Sequence, residues 1–221
     1  MATTTKFDVT IISDLACPWC YVGEASFEKA VEQLKTMGDY EVSVQYRSYV
    51  IDWRTNPAGE EYLAYNVRRW GGDGWVYDVR RRGKPLGLNF AKWTSWPYTL
   101  HAHRLLHLAR KMQGPEGEGA LMKVLFKMTY EEGENISLKE TLVKAAERVN
   151  LPGAAEMLHS KELEREVIAE DNYAKEALGV GGVPYFIIGC EGVKKKYSLD
   201  GAQRIESFVR VFQTLESMKK K

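Results

Sequence analysis

Ser13-Asp14-Leu15-Ala16-Cys17-Pro18-Trp19-Cys20-Tyr21 is the stretch whose reading decides the fold. Before it, Phe7, Val9 and Ile11 alternate with polar residues as one face of a strand; after it, Phe27, Ala30, Val31 and Leu34 keep helical spacing. The stretch is therefore a strand, a tight turn and a helix start. Pro18 suits the first helical turn, where its missing N–H has no partner to lose and its fixed φ is already helical. That sets Cys17 at the helix N-terminus, where unpaired N–H groups and the positive end of the dipole favour thiolate over thiol. Cys20, one turn further in, receives little of that field. The spacing predicts unequal thiols: Cys17 attacks, and Cys20 closes the ring and releases what Cys17 has captured.

Other readings of the pair are weaker. A structural zinc wants about four ligands and a second closely spaced pair. The only other cysteine is Cys190, and the histidines are His101, His103, His107 and His159. His103 and His107 stand at i, i+4, but such a pair is more often ordinary helix surface or core, so no metal is expected. Cys190, beside a glycine turn, reads as a passive small residue.

With 221 residues and 44% hydrophobic composition, the chain can bury a core too large for one small sheet. The 31 basic and 30 acidic residues leave a net charge of +1, so no global field draws it to nucleic acid or to an anionic membrane. The basic runs Arg80 to Arg82, Lys194 to Lys196 and Lys219 to Lys221 are short enough to be solvated faces or ends. Met1 to Asp8 lacks the apolar run of about 7–15 residues of a signal peptide, and nowhere are there the roughly 18 apolar residues of a membrane span. A cytoplasmic protein is expected. In a reducing compartment a CxxC pair works by cycling rather than as a structural crosslink.

The first helix should end at Met37-Gly38 with glycine as a left-handed cap, and Val42, Val44 and Tyr46 mark a second strand. A strand, helix and strand within that span make a βαβ unit with parallel strands. From about Thr55 the pattern turns helical: Glu60 to Trp70, Pro97 to Met112, Ala120 to Met128, a helix opened by a Ser137/Glu140 capping box, and Glu162 to Leu178. The sheet resumes at Gly182 to Ile188, with Lys195 to Leu199 as hairpin partner across Gly189 to Gly192. Ile205, Phe208, Val209, Phe212 and Leu215 form an amphipathic final helix. The order β, α, β, helices, β, β, α gives an α/β fold, an open mixed sheet with helices on both faces.

Pro184 opens a buried strand, a position where the missing N–H must be harmless and where a prolyl bond readily adopts cis. Its functional reading is a loop facing the CxxC turn, offering the N–H and C=O of Val183 to an extended substrate. The aromatics Trp70, Trp75, Tyr77, Phe90, Trp93, Trp96 and Tyr98 read mostly as core of the helical segment, a minority lining a groove above Cys17. Asp14 reads first as a solvated strand end, and second as a group tuning or relaying protons to Cys20.

Cys17-Pro18-Trp19-Cys20 after a strand, Val183-Pro184 before the third, and helices between the halves resemble the DsbA-like thioredoxin-fold oxidoreductases. Ser13 to Gly23, Ala102-His103-Arg104-Leu105, and Gly179 to Pro184 followed by Gly201-Ala202-Gln203 are most similar to the FrnE-type branch, related to 2-hydroxychromene-2-carboxylate isomerases and kappa-class glutathione transferases. The resemblance spans nearly the whole chain. It implies a thioredoxin-like domain of residues 1–54 and 161–221 and a helical insertion of residues 55–160. It further implies a protein disulfide oxidoreductase with Cys17 as nucleophile and Cys20 as resolving thiol. Pro18, Trp19, Val183 and Pro184 would then bind substrate. Substrates would be disulfide-containing proteins or small-molecule thiols, with no cofactor beyond the redox-active disulfide, glutathione admitted as reductant and a homodimer left open. The isomerase and transferase relatives tend to carry serine at the position of Cys17, and Gly-Ser-Asp where this chain has Gly201-Ala202-Gln203. Those departures favour redox chemistry over dedicated glutathione binding. Trp19 stands where periplasmic DsbA proteins have histidine, which implies a milder oxidant that rests reduced. A glutathione-dependent isomerase or transferase, and a chaperone that holds hydrophobic clients, are the competing functions.

Overall fold

The computed structural model describes residues 4–219. Residues 1–3 of the amino-terminal segment, and 220 and 221 of the last basic run, lie outside the described residues. Strand β1 (Thr5–Ser13) pairs in parallel with β2 (Tyr40–Ser48), Phe7 opposite Val42 and Ile11 opposite Tyr46, with α1 (Pro18–Met37) as the crossover. On its other side β1 pairs antiparallel with β5 (Tyr185–Cys190), which pairs antiparallel with β6 (Val193–Asp200), giving the order β2-β1-β5-β6.

Alternation along β1 divides its side chains between two cores. Phe7, Val9 and Ile11 are buried in the main cluster, where the Phe7 ring meets Phe212 at 4.8 Å and Phe186 meets Phe208 at 4.8 Å, against α1 and α8 (Ile205–Lys219). Ile12 joins a second cluster with Tyr49, Ala174 and Val180. This is the mixed sheet with helices on both faces that the hydrophobic pattern implies.

Between β2 and β5 run α2 (Tyr62–Trp70), α3 (Val76–Gly83), α4 (Leu100–Lys127), α5 (Lys139–Arg148), α6 (Ala154–His159) and α7 (Glu164–Asn172). Glu60–Glu61 (β3) is not the first turn of α2 but pairs antiparallel with Ser95–Trp96 (β4). The two helices expected over 97–128 meet at Gly114, whose φ of 74° lies outside the helical region, and Pro115 restarts the second half at once. Gly38 is extended (φ 173°) rather than left-handed. A Cβ there would lie 2.8 Å from the Tyr40 ring, so close approach accounts for the glycine. The capping box at α5 does not form: the N-cap is Leu138, and Ser137 Oγ instead accepts a hydrogen bond from the Tyr98 N–H at 2.8 Å.

Arg104 is buried at the junction of these helices. Its guanidinium donates to the carbonyls of Met157 (2.8 Å), Ser160 (2.8 Å) and Glu162 (2.7 Å), tying the end of α6 to the segment that leads into α7.

Candidate active site

Cys17 is the N-cap of α1, in extended conformation (φ −94°, ψ 108°), with Pro18 directly after it. Its N–H donates to Asp14 O at 3.0 Å, and its carbonyl accepts from the Cys20 N–H at 2.9 Å, which closes the turn. All three cysteines are free thiols. Cys17 Sγ sits 3.4 Å from the carbonyl of Val183, to which it donates, so the β1–α1 turn and the loop before β5 face each other. The Val183–Pro184 peptide bond is cis.

Cys20 lies behind Cys17 and is 1% exposed. Burial pushes its thiol up, and the adjacent Cys17 sulfur adds to the effect, against an opposing pull from the Ser13 hydroxyl and the Asp14 backbone. The two sulfurs are therefore inequivalent: Cys17 lines a cleft and Cys20 does not.

Asp14 is buried, so the reading of a solvated strand end fails. Its Oδ1 accepts from the Ala16 N–H at 3.2 Å and Oδ2 from the Ile51 N–H at 2.8 Å. His103, on α4, brings Nε2 to 3.3 Å from Asp14 Oδ1 and 3.1 Å from the Tyr49 carbonyl. His107 Nε2 goes to Ser48 Oγ (3.2 Å) and Glu170 (3.1 Å) instead, so the i, i+4 pair is divided between separate partners. From α4's end, Tyr130 OH donates to Leu15 O at 3.1 Å.

Gly23 allows the second loop to pack on the helix. A Cβ there would stand 2.8 Å from Pro184 Cγ and 3.4 Å from the Phe186 ring. Pro184 is buried and Val183 half-buried.

The cleft over Cys17 measures about 540 Å³. Cys17, Pro18 and Trp19 form its base, and Gly181, Gly182 and Val183 one rim. Tyr49 and Ile51 follow from the end of β2, while Arg69, Trp70, Trp75 and Trp96 come from the helical segment. Of the expected aromatics, Phe90, Trp93 and Trp96 are buried, Trp70 and Trp75 reach the cleft, and Tyr77 is exposed. A larger open groove of about 1000 Å³ lies between α1, β2 and the second half of α4, but no thiol lines it.

One arginine of the cleft, and a second beside Trp19, escaped the sequence reading. Arg69 stacks on the Trp70 ring at 4.2 Å. Arg82, from a run read as a solvated face, donates to Ala202 O at 2.6 Å and holds its guanidinium 5.7 Å from the Trp19 ring. Gly181 and Gly182 offered the one available signal for this rim, two adjacent glycines directly before Val183-Pro184.

The DSBA-like thioredoxin domain family matches residues 8–213. Uncharacterized protein YwbO of Bacillus subtilis (strain 168) is 26% identical over 192 residues, covering 82% of this chain and 86% of that protein. Among solved structures, a probable DsbA oxidoreductase from Streptomyces coelicolor superposes with a TM-score of 0.80 at 26% identity, over 96% of this chain and 90% of that one. The cytosolic disulfide reductase DsbM from Pseudomonas aeruginosa, solved also with GSH, shares the fold with a TM-score of 0.69 at 16% identity, over 96% and 99% of the two chains.

Proposed function

The chain belongs to the DSBA-like thioredoxin domain family, and from that membership and the site geometry we propose that it exchanges disulfides through Cys17 and Cys20. Cys17 thiolate attacks one sulfur of a substrate disulfide, forming a mixed disulfide and expelling the other sulfur as a thiolate. Cys20 then gives up its proton and attacks Cys17 Sγ. The second substrate thiolate leaves, and an intramolecular Cys17–Cys20 disulfide remains. A reducing thiol, such as glutathione at two molecules per cycle, returns the dithiol; run backwards, the sequence oxidises a client.

The observation that carries this reading is the division between the sulfurs. Cys17 reaches the cleft and the Val183 carbonyl, whereas Cys20 is shut behind it with its thiol pushed up. A thiol raised in this way stays protonated while Cys17 engages substrate, and it is placed to attack only Cys17. The Val183-Pro184 loop, with Pro18 and Trp19, is the substrate platform: an extended segment laid along it would bring its sulfur to Cys17. The likeness to DsbM supports a cytosolic setting and the reductive direction, and the FrnE-type branch is the part of the family that these motifs favour.

The test is capture of substrates on Cys20→Ser, which should accumulate mixed disulfides at Cys17 that dithiothreitol releases, alongside insulin reduction that Cys17→Ser abolishes. Insulin reduction by Cys17→Ser at the wild-type rate would overturn the proposal. Activity that survives Cys20→Ser and requires added glutathione would favour the isomerase or transferase chemistry instead.

A further inference from the structure

Gly181, Gly182, Trp70, Trp75 and Arg69 line the cleft but take no part in the exchange chemistry. The φ angles of Gly181 and Gly182 lie outside the left-handed region, and a Cβ on either would meet no atom within 4 Å. Neither backbone conformation nor packing therefore demands glycine, and what the two residues supply is open space at the rim beside Cys17. Opposite them stand flat apolar surfaces, Trp75 half-buried and Trp70 46% exposed. Such an arrangement takes a ring rather than an aliphatic chain.

Arg69 is the only charged side chain lining this cleft among the described residues. Its carboxylate neighbour, Asp52, stands 3.8 Å from Arg69 Nε and is also approached by Arg54 at 3.2 Å and Arg68 at 3.6 Å. At that separation no hydrogen bond forms, and both Arg69 Nε and Asp52 Oδ2 are buried without one. Arg68 is itself satisfied by Glu60 at 2.7 Å, so three guanidiniums face two carboxylates and the cluster keeps one positive charge in excess; Arg69, the farthest of the three from Asp52, lies over the Trp70 ring with donors left over. A carboxylate is the natural complement of such a fork.

We propose that the small-molecule substrate of this site is an aromatic disulfide, or the corresponding thiol, that carries a carboxylate. Its ring lies against Trp70 and Trp75 over the Gly181-Gly182 backbone, its carboxylate pairs with Arg69, and its sulfur meets Cys17. The proposal rests on the exchange reading for that last contact, whereas the carboxylate subsite stands without it. In the step itself, Cys17 thiolate attacks the aryl disulfide, one aryl thiolate leaves, and Cys20 displaces the second, so two electrons pass from the dithiol to the substrate.

Two measurements on the full chain separate the claims. Binding of biphenylcarboxylate and of its uncharged carboxamide is compared by titration calorimetry in wild type and Arg69→Gln. The variant should weaken the carboxylate about tenfold and leave the amide unchanged; equal effects on both, or none, overturn the subsite. In parallel, the release of aryl thiolate from dianionic dithiobis(nitrobenzoate) and from neutral dithiodipyridine is followed in the same proteins. Arg69→Gln should slow the first about tenfold and spare the second; an unchanged ratio overturns the assignment of substrate. If Cys17→Ser releases both as wild type does, the exchange reading fails, while the binding arm still decides on Arg69.

Discussion

Glu24, one turn beyond Cys20 on α1, is a buried carboxyl whose pKa is raised to about 8, chiefly by burial. Its Oε1 accepts a hydrogen bond from the Tyr46 hydroxyl, and Oε2 is buried with no partner. In the folded protein at neutral pH it is therefore a neutral acid, whereas in the unfolded chain it ionises near its ordinary 4.5. Below 4.5 both states hold the proton and its contribution to stability is fully present. Between 4.5 and 8 only the folded state holds it, so stability falls as pH rises, by about 1.4 kcal/mol per pH unit; above 8 the loss is complete. Replacing Glu24 with glutamine keeps the shape and the acceptor for Tyr46 but removes the ionisation. Urea unfolding of wild type and Glu24→Gln from pH 5 to 8 should give curves of ΔG against pH that diverge steadily. The variant should gain about 3.5 kcal/mol relative to wild type between pH 5 and 8, a little under three full units because the slope tapers near 4.5 and near 8. Parallel curves would show that Glu24 is either solvated or already ionised in the fold, and the reasoning would be refuted.

Glu170 makes the opposite case. Burial alone would raise it, yet His107, the Ser48 N–H and Arg47 together hold its carboxyl well below the usual range. Its contribution is present above about 4.5 and is lost as pH falls toward the folded-state value, so Glu170→Gln should cost about 3 kcal/mol at pH 7 and progressively less below pH 4.5, read by the same unfolding series. At Gly23, alanine should gain about 1 kcal/mol of helix propensity but set a Cβ 2.8 Å from Pro184 Cγ. A ring held in a buried loop yields poorly, and overpacking of about 1–3 kcal/mol should leave the variant less stable and slower in disulfide exchange. A Gly23→Ala protein as stable as wild type, with the wild-type exchange rate, would contradict this packing.

What could be read from the chain alone divides along the line between local and distant causes. The β1–turn–α1 unit was legible because the alternation of Phe7, Val9 and Ile11, the helical pattern of Phe27 to Leu34 and the placement of Pro18 all act within a few residues. Val183-Pro184 was legible for the same reason. Asp14 was misread because its solvation depends on groups that arrive from His103 and Ile51, far away in sequence. The Ser137/Glu140 box failed because Tyr98 claims the serine hydroxyl first. Gly114-Pro115 carries breaker residues, which hid how directly the second half of α4 follows the first. Arg69 and Arg82 carry no local signal, and only the tertiary fold sets the first in the cleft and the second beside Trp19.

That same distinction bears on how the site is held. The backbone just before Cys17 is held by groups delivered from the helical segment as well as by its own turn. Tyr130 donates to Leu15 O, His103 faces Asp14, and Tyr21, on the first turn of α1, stacks at 5.1 Å on Phe126. Buried polar contacts of this kind leave a costly orphan when one partner withdraws, so they fix geometry more firmly than apolar packing does. The walls of the cleft, Trp70, Trp75 and Arg69, come from the same helical segment as the clamps on the turn. The cleft walls and the geometry of the Cys17 turn are thus set by one body of structure: under the proposed chemistry a substitution that shifts those helices should disturb substrate contact and sulfur geometry together, whereas one confined to α8 or β6 should disturb neither directly.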